Sequence, residues 1–306
     1  MKTFDSIDLP LDSPSVVALG CFDGIHKGHI QVINKAREIS AEKALPLVVW
    51  SFAEPPKNFF SPSSVPVLST VREKRKLMKE MGVDLFYCVK FNQVIANMSA
   101  EDFFFDILLD KLCATHLVCG FNFTFGFHGA GNTELLSKLC NEKKVGLTVL
   151  PPVVSGEVTV SSSEIRKAIE TGDVQLAERL LGRPYSITAK VVNGQHLART
   201  LGFPTANQLY PKSKAVLRYG VYEVRVKQDG KSLGGIANVG MRPTVNGSLL
   251  CIETHILDFR ENLYGKYLTV EFLDFIRPEQ RFPSIDALKE QIKKDLLFLS
   301  QKNQKL

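Results

Sequence analysis

Two histidines separated by a short glycine-containing turn carry the strongest chemical signal in this chain. An apolar run over 16–20 breaks into a glycine-spaced turn that ends in His26, Gly28 and His29. Imidazoles at this spacing at a helix start converge on one small volume, where the unpaired N–H groups of the first turn already favour an anion. Gly24 permits the tight turn, and Gly28, which has no Cβ, leaves room for a phosphate against the backbone. The spacing therefore predicts a phosphate-binding site.

Two other interpretations of the histidine pair stay open, namely a zinc pair and two solvated surface histidines. A zinc site needs further ligands, and the neighbouring chain offers only Cys21 and Asp23, without the spacing of a closed site. The strand–turn–helix context favours phosphate.

A second glycine-rich stretch, Gly126–Thr133, has the spacing of a nucleotide-binding P-loop. Asn132 stands where that loop needs a lysine, and a neutral amide does not offset phosphate charge. We therefore expect a glycine-rich loop near a ligand rather than a P-loop.

Length and composition indicate an ordinary globular protein. The 306 residues are 44% hydrophobic and 23% charged, and this length suggests about two domains. The net charge of +6 is spread along the chain, which suits small anionic substrates at least as well as nucleic acid. We expect no nucleic-acid partner and no membrane association, and a cytoplasmic location, because no apolar run spans a bilayer and the start lacks a signal-peptide core. Six cysteines without a Cys-x-x-Cys pair predict reduced core residues.

The first half alternates apolar β-rich runs with helical patterns. Strands are predicted over 16–20, 45–52, 84–89, 115–119 and 145–150, and helices over 29–42, 71–81, 133–143 and from Ser99 onward. Repeated strand–helix–strand units predict a doubly wound parallel α/β sheet, whose ligands bind at the carboxyl ends of the strands. The histidine turn lies at such an end.

The second half of the sequence has a different pattern of predicted elements. Short strands are predicted over 186–192, 221–226, 232–238, 251–257 and 267–272, separated by Gly, Pro and Asn turns, which indicates an antiparallel β-barrel or sandwich. A helix over 284–299 closes the chain, with Ser284 as its N-cap. Its apolar stripe is expected to pack on the β-structure and consists of Ile285, Leu288, Ile292 and Leu296. We place the boundary between two domains, 1–183 and 184–306, after a helix over 174–181.

Several motifs, taken together and in order, resemble one known family. In the first half they are Gly20–His29, Gly120–Gly126 and Val160–Arg166. In the second half they are Leu201–Asn207, Asn238–Thr244, Ile252–His255 and Leu263–Gly265. They resemble the bifunctional prokaryotic riboflavin kinase/FAD synthetases over nearly the whole chain. The resemblance implies an FMN adenylyltransferase domain over 1–183 and a riboflavin kinase β-barrel over 184–306.

For the first domain, the resemblance implies that FMN and ATP react to give FAD with release of pyrophosphate. His26 and His29 would hold the ATP phosphates and donate to an increasingly anionic transition state rather than act as nucleophiles. Ser161 and Ser162 would form a second clamp at a helix start, with Arg166 one turn on, although an ordinary serine N-cap with a surface arginine is the alternative. The same motifs imply that the turn around the ATP phosphates also uses Gly20, Phe22, Gly24 and Gly28.

Asn122 matches the family position that helps to hold flavin, ATP or metal. The phenylalanines that alternate with it either cover a flavin ring or pack in the core, and both interpretations stay open. They are Phe121, Phe123, Phe125 and Phe127.

For the second domain, the resemblance implies that riboflavin is phosphorylated by ATP to FMN. Thr205 and Asn207, two residues apart, would anchor Mg²⁺-ATP through oxygen ligands, with Gly202 and Pro204 beside the phosphates. Glu253 would take the proton from the riboflavin 5′-hydroxyl. Without the resemblance, the Pro-Thr-x-Asn segment would be a turn and Glu253 a solvated strand residue.

Two departures from the family pattern concern the kinase domain. Ala189 and Ala198 stand where the loop before Pro-Thr-x-Asn usually carries glycines, and an alanine at positive φ costs on the order of 1 kcal/mol. An FAD synthetase with an impaired kinase is therefore an alternative. Others are a flavin- or nucleotide-binding regulator and adenylyl transfer to another acceptor. The sequence does not indicate the oligomeric state.

Overall fold

The computed structural model describes residues 1–6, 10–61, 64–194, 202–244 and 247–303. Contacts within the chain divide it into two units, Met1–Glu164 and Ile165–Leu306. Every helix within these described ranges is too short or too polar to cross a bilayer. The boundary expected at 183–184 stays a prediction.

The first unit is built on a six-stranded sheet in which all neighbouring strands are parallel. Its strands are β1 Lys2–Phe4, β2 Ser15–Leu19, β3 Leu47–Phe52, β4 Leu85–Val89, β5 Ala114–Gly120 and β6 Gly146–Leu150. Their order across the sheet is β1-β4-β3-β2-β5-β6. The predicted doubly wound parallel sheet is confirmed. Only β1 was not predicted, because three residues carry too little periodicity.

Helices and a small hairpin complete this unit. The helices are α1 Lys27–Lys43, α2 Lys57–Phe60, α3 Val71–Glu80, α4 Gln93–Ala96, α5 Ala100–Asp102 and α6 Thr133–Lys143. The chain continues from α5 as a π-helix over Phe103–Lys111, and a single 3₁₀ turn covers Phe127–Gly129. Strands β7 Val154–Ser155 and β8 Val158–Thr159 form the hairpin before α7 Ser162–Thr171.

Strand β2 is buried on both faces of the sheet. Val17 and Leu19 belong to one hydrophobic cluster, and Val16 and Ala18 belong to another. Successive side chains of a strand point to opposite faces, so the two clusters lie on opposite sides of β2. Full burial of the central strand is what a parallel sheet covered by helices on both faces requires. It gives the chain that leaves β2 a rigid base.

The second unit is a closed antiparallel barrel with flanking helices. Helix α8 spans Val174–Leu181, and the strands are β9 Tyr185–Val192, β10 Thr205–Leu209, β11 Gly220–Gln228, β12 Lys231–Thr244, β13 Gly247–Ile256 and β14 Tyr267–Pro278. They close in the order β10-β13-β12-β11-β14-β9, with β9 also paired to β10. The predicted barrel is thus confirmed, and the alternative of a sandwich is wrong.

Helix α9, Ile285–Asn303, follows the barrel. The Ser284 hydroxyl accepts from the Ala287 N–H at 3.1 Å, so the predicted N-cap is confirmed. Ile292 and Leu296 pack on a buried cluster of barrel residues, as expected. The prediction was wrong for Ile285, the first residue of α9, which is 53% exposed and is not among the residues packed on that cluster.

All six cysteines are free. Four are buried, whereas Cys21 and Cys113 are partly exposed. Burial raises the pKa of Cys119 to about 12 and that of Cys140 to about 11, so both thiols stay protonated at neutral pH. The four buried cysteines act as small apolar core residues.

The fold predicts a large loss of stability when Phe104 is shortened. Phe104 is fully buried in the cluster around the single tryptophan, Trp50, which is itself 2% exposed. Phe104→Ala should lower the free energy of unfolding of the first unit by about 3–5 kcal/mol, through lost apolar contact and the cavity left behind. Urea unfolding followed by Trp50 fluorescence measures this unit alone. Val94→Ala, at a side chain 67% exposed, is the control and should change it by less than about 0.5 kcal/mol. Equal effects of the two variants would contradict the packing described here.

Candidate functional site

The histidine turn lies at the carboxyl end of β2, at the point where the order of strands reverses. The chain passes from β2 outward through β3 to β4, and then returns to β5 on the other side of β2. The loops after β2 and β5 therefore diverge and leave a crevice between them, which is where open α/β sheets bind ligands. The turn over 20–29 follows β2, and Asn122 follows β5.

His26 is the N-cap of α1. Its Nδ1 accepts the backbone N–H of His29 at 3.3 Å, so the helix begins at Lys27, earlier than predicted. An Nδ1 that accepts a hydrogen bond carries no proton, which places the proton of the neutral ring on Nε2. The His26 and His29 rings are stacked, with centroids 3.6 Å apart and 17° between their planes. The two imidazoles therefore form one compact unit.

Gly28 makes this stacking possible. A Cβ on Gly28 would lie 3.2 Å from Cε1 and 3.3 Å from Nδ1 of the His26 ring. The His26 ring therefore lies next to Gly28, where the sequence predicted room for a phosphate. Gly20 has a similar relation to Phe22, whose ring would meet a Cβ at 3.0 Å.

The turn contains an unusual concentration of positive φ values. They are 46° at Phe22, 81° at Gly24 and 45° at Ile25. Phe22 and Ile25 are buried, and a non-glycine residue in this region costs roughly 1–2 kcal/mol. Such strain persists only where the surrounding structure holds it. Phe22 also contacts His29 edge to face, at 5.2 Å between ring centroids.

Asp23 is one of the residues that keep the strained turn in its conformation. Its carboxylate, 2% exposed, accepts the backbone N–H of Leu68 at 2.9 Å and that of Ser69 at 3.2 Å. The Ser69 hydroxyl in turn accepts the N–H of Gly24 at 3.0 Å. The segment that leads into α3 is therefore bonded to the turn through both side chain and backbone.

The predicted second clamp begins at the same turn. The Ser162 hydroxyl donates to the Asp23 carbonyl oxygen at 3.0 Å, which joins the start of α7 to the histidine turn. The Ser161 hydroxyl accepts from the Glu164 N–H at 3.3 Å, the pattern of a helix cap. Ser161 therefore has the capping contact that the alternative interpretation expected, while Ser162 contacts the turn itself. Arg166 follows one turn further along α7.

The residues after β5 divide into core and surface. Phe123 and Phe125 stack with centroids 5.6 Å apart and belong to the hydrophobic core. Asn122 is exposed, and Phe121 and Phe127 are 49% and 48% exposed. Core packing is therefore confirmed for Phe123 and Phe125, whereas a contact of Phe121 or Phe127 with a flavin ring stays a prediction.

Asn132, in the glycine-rich stretch, caps α6. Its side-chain oxygen accepts from the Glu134 N–H at 3.1 Å and the Leu135 N–H at 2.9 Å. This contact fits the expectation that the stretch is not a P-loop.

One group of aromatic side chains was not predicted from the sequence: the aromatic cluster, defined as the exposed Phe59, Phe60 and His128 and the partly buried Phe91. Phe91 lies 5.5 Å from Phe59 and 5.7 Å from Phe60, and Phe60 lies 5.9 Å from the His128 ring. Phe59 and Phe60 are 43% and 54% exposed. Its members follow the ends of β3, β4 and β5, and the phenylalanine rings pack edge to face, with interplanar angles of 66–89°. Only the paired phenylalanines of α2 could have signalled it.

In the second unit, strand register gathers the other predicted residues. Asn207 on β10 is opposite Glu253 on β13, Glu253 is opposite Asn238 on β12, Asn238 is opposite Val221 on β11, and Val221 is opposite Arg277 on β14. Directly opposed residues share one face of a sheet. This row crosses five strands of the barrel.

The row lines a cavity of about 310 Å³. Residues that alternate with it, such as Thr254 and Ala237, are fully buried inside the barrel, so the row lies on the outer barrel face. Thr205 also lines the cavity, and Phe282, Leu288 and Ile292 form an apolar wall from the segment that includes α9. The cavity therefore combines polar side chains on the barrel with an apolar wall opposite.

The side chains of Thr205 and Asn207 touch. The Asn207 amide donates to the Thr205 hydroxyl at 3.3 Å, and its Oδ1 accepts from the Arg242 guanidinium at 3.4 Å. A hydroxyl and an amide oxygen are suitable ligands for Mg²⁺, which keeps several waters and uses few protein ligands. Both oxygens would face one ion only if the Asn207 amide turned over. The residues therefore fit Mg²⁺ after a rotation of one side-chain bond.

Glu253 sits in an environment that changes its acidity. Burial raises the pKa of its carboxyl group, the Arg242 guanidinium opposes this rise, and the Glu279 carboxylate adds to it. The Glu279 carboxylate accepts from the Asn238 amide at 2.9 Å. A carboxylate with a raised pKa is a stronger base than an ordinary glutamate.

An ion pair that the sequence did not reveal ties α9 to the barrel. Arg277 donates through Nε to Asp295 Oδ1 at 2.9 Å and through Nη2 to Oδ2 at 2.7 Å. Asp295 is 3% exposed, and both residues line the cavity. Bidentate geometry of this kind fixes orientation as well as distance.

The approach to Thr205 contains the remaining predicted residues. Gly202 has φ 87°, and the Pro204 carbonyl oxygen is 3.0 Å from Nδ1 of His255. Ala189 lies within β9, opposite Leu268, and needs no glycine-like conformation there. The expectation about Ala198 falls outside the described residues.

Comparisons with known proteins cover both units. A family model described as FAD synthetase matches residues 9–164, and one described as riboflavin kinase matches 181–302. Bifunctional riboflavin kinase/FMN adenylyltransferases from Pseudomonas fluorescens and Escherichia coli K12 are 39% and 38% identical, over 92% of this chain and 90% of theirs. The Bacillus subtilis protein of that name is 37% identical over the same shares. A crystal structure of a protein described as a macrolide-efflux protein, from Streptococcus pneumoniae, has TM-score 0.86 and 33% identity over 96% of each chain.

The surroundings of Glu253 predict how its pKa responds to substitution. We expect a pKa above that of an ordinary glutamate, a further rise in Arg242→Gln because the opposing positive charge is lost, and a fall in Glu279→Gln. Carboxyl ¹³C NMR titration measures each value. Glu290, whose pKa is lowered by its hydrogen bond to Lys293, is the control and should not respond. A Glu253 pKa that falls in Arg242→Gln would refute this account.

Proposed function

The chain belongs to the bifunctional riboflavin kinase/FMN adenylyltransferase family, and from this premise we propose which of its residues carry each reaction. It phosphorylates riboflavin to FMN with ATP and adenylylates FMN to FAD with release of pyrophosphate. We assign adenylyl transfer to the histidine turn and phosphorylation to the barrel cavity. The observations that support this assignment are the contact between His26 and His29 at the carboxyl end of β2 and the cavity lined by Thr205, Asn207 and Glu253.

In adenylyl transfer, a phosphate oxygen of FMN attacks the α-phosphorus of ATP. The bond from that phosphorus to the bridging oxygen breaks, and pyrophosphate leaves with the electron pair. Nδ1 of His26 is engaged by the His29 N–H, so His26 donates through Nε2, and the stacked His29 presents the second imidazole. Donors placed in advance where charge develops lower the barrier most effectively.

Other residues of the first unit shape this site. Gly20, Phe22, Gly24 and Gly28 build the turn, and Ser162 holds it against the start of α7. The resemblance to the family also assigns phosphate binding to Ser161, and to Arg166, which stands just after the end of this unit in the sequence. Asn122 and the aromatic cluster receive the isoalloxazine ring, since a planar apolar ring stacks favourably on exposed aromatic side chains.

In the kinase reaction, Glu253 removes the proton from the riboflavin 5′-hydroxyl, whose oxygen then attacks the γ-phosphorus of ATP while ADP leaves. The raised pKa brings the carboxylate closer to the range of an effective general base. Phe282, Leu288 and Ile292 pack against the flavin ring.

Thr205 and Asn207 hold Mg²⁺, with Gly202 and Pro204 beside the nucleotide phosphates. The ion, when bound, neutralises charge on the phosphate oxygens. Arg242, which now contacts the Asn207 oxygen, is available to the phosphates once the amide turns.

Two further proposals concern the chain as a whole. We keep the domain boundary at 183–184: the contacts divide the chain at 164–165, and the family models leave 165–180 to neither side. We also place the enzyme in the cytoplasm, where ATP is supplied and where free cysteines such as those found here stay reduced.

If the two reactions use separate sites, a substitution in one site should remove one activity and preserve the other. Incubation with riboflavin, ATP and Mg²⁺, followed by chromatography of the flavins, should give FMN and FAD for the wild type. His29→Ala should lower FAD formation by about 10²-fold or more and leave FMN formation intact, because a donor to the transferring phosphate is lost. Glu253→Ala should lower FMN formation by about 10²-fold or more, yet still convert added FMN to FAD. Loss of FMN formation in His29→Ala, or failure of Glu253→Ala to convert added FMN to FAD, would contradict two independent sites.

Gly28→Ala tests the geometry of the histidine pair. The new methyl group would meet the His26 ring at 3.2 Å, closer than an ordinary contact, so the ring must shift from its present position. We expect FAD formation to fall by about tenfold or more, since small displacements of positioned groups are costly. FMN formation by the same preparation is the internal control. Gly234→Ala, where the nearest atom lies at 3.6 Å, is the matched variant and should preserve both activities. Wild-type FAD formation in Gly28→Ala would show that the ring stacking is dispensable.

A further inference from the structure

Lys74 is a fully buried lysine at the carboxyl ends of two central strands. Its side chain has 0% exposure, although it lies on α3, next to the exposed Arg75 and Lys76. The Nζ atom donates to the carbonyl oxygen of Cys21 at 3.0 Å and to that of Phe52 at 2.9 Å. Cys21 is in the histidine turn after β2, and Phe52 is the last residue of β3.

These hydrogen bonds satisfy the ammonium group without neutralising it, because both acceptors are backbone carbonyl oxygens. Burial of an ion costs several kcal/mol, and an apolar side chain of similar volume often packs at no loss of stability. The Lys74 charge also acts on Cys88 of β4. Burial raises the pKa of the Cys88 thiol, and the positive charge of Lys74 opposes that rise. A positive charge thus lies among the ends of β2, β3 and β4.

The formation of α3 does not depend on Lys74. Thr70 and Glu73 form a complete capping box at its start, and the preceding segment is bonded to Asp23 through backbone N–H groups. The lysine is therefore additional to the contacts that place the helix, and its hydrogen bond to the turn is accepted by the Cys21 carbonyl oxygen.

Cys21 is the residue before Phe22, where the strained backbone begins. The Ser51 hydroxyl donates to the same Cys21 carbonyl at 2.8 Å, so two donors hold that peptide. Asp23 holds the turn on the far side of Phe22. A residue at unfavourable φ keeps its conformation only when its neighbours are fixed on both sides.

We propose that Lys74 is a positioning residue for adenylyl transfer: its ammonium group fixes the Cys21 peptide, maintains the strained backbone at Phe22, and thereby sets His26 and His29 against the ATP phosphates. Lys74 acts through the turn and touches neither substrate. The inference rests on the proposed role of the histidines.

Lys74→Met tests it, since methionine fills a similar volume without charge or donors. We expect kcat for FAD formation from FMN and ATP to fall by about tenfold or more, while KM for ATP changes less than about threefold. FMN formation from riboflavin should be unchanged. A purely structural role would reduce the folded fraction, measured by Trp50 fluorescence, and leave kcat per folded molecule at the wild-type value.

Lys76→Met is the matched control, because Lys76 lies on the same helix with its side chain 63% exposed. It removes one positive charge and should preserve both activities. If the first unit of Lys74→Met does not fold, Lys74→Gln, which retains uncharged donors, is judged by the same criteria.

The possible outcomes are distinct. A folded Lys74→Met or Lys74→Gln protein with kcat within about twofold of wild type overturns the inference, because a misplaced group is expected to cost far more. Failure of both variants to fold overturns it too, since Lys74 would then serve stability. Retention of FAD formation in His29→Ala would instead defeat the proposed function of the turn. Loss in His29→Ala with wild-type kcat in Lys74→Met would defeat the inference about Lys74 alone.

Discussion

The hydrogen bond from the His29 backbone N–H to Nδ1 of His26 is the contact on which the first site depends. It satisfies one of the unpaired N–H groups at the start of α1, so the turn ends and the helix begins at a fixed residue. The same bond decides which ring nitrogen of His26 carries the proton. The rings stack at 3.6 Å, and a Cβ on Gly28 would approach the His26 ring to 3.2 Å. One local contact thus links helix capping, ring orientation and the choice of glycine.

The barrel reaches a comparable result by a different physical route. No helix start or strained turn gathers Asn207, Glu253 and Asn238; the antiparallel register places them side by side. Register in a closed barrel is fixed by every neighbouring pair, because a slip of one residue would turn each side chain to the opposite face. The cavity is therefore as rigid as the hydrogen bonding of the strands beneath it, while its apolar wall comes from a separate element, α9.

Sequence patterns predicted the parts of this protein that are local. The sheet, the barrel strands and the α9 cap follow from periodicity and capping residues within short windows, and Thr205 and Asn207 meet because they are two residues apart on one strand face. Contacts between distant positions were not predictable. Lys74 and Cys21 are 53 residues apart, and the sequence around Lys74 resembles any polar helix. The space beside Gly28 was expected to hold a phosphate. The His26 ring lies next to that space, and a sequence does not reveal the rotamer of a histidine.

Helix α9 has a consequence for the synthesis of the chain. Its residues, translated after every strand of the barrel, supply one wall of the barrel cavity, and Asp295 anchors that wall. The strands and the histidine turn of the first unit are all present in the first 164 residues. Because domains generally fold as units from the N-terminus during translation, the nascent protein can acquire its nucleotidyl-transferring centre well before the other one exists. A ribosome that stalls before α9 would release a chain that has the complete histidine turn but a barrel cavity without that wall.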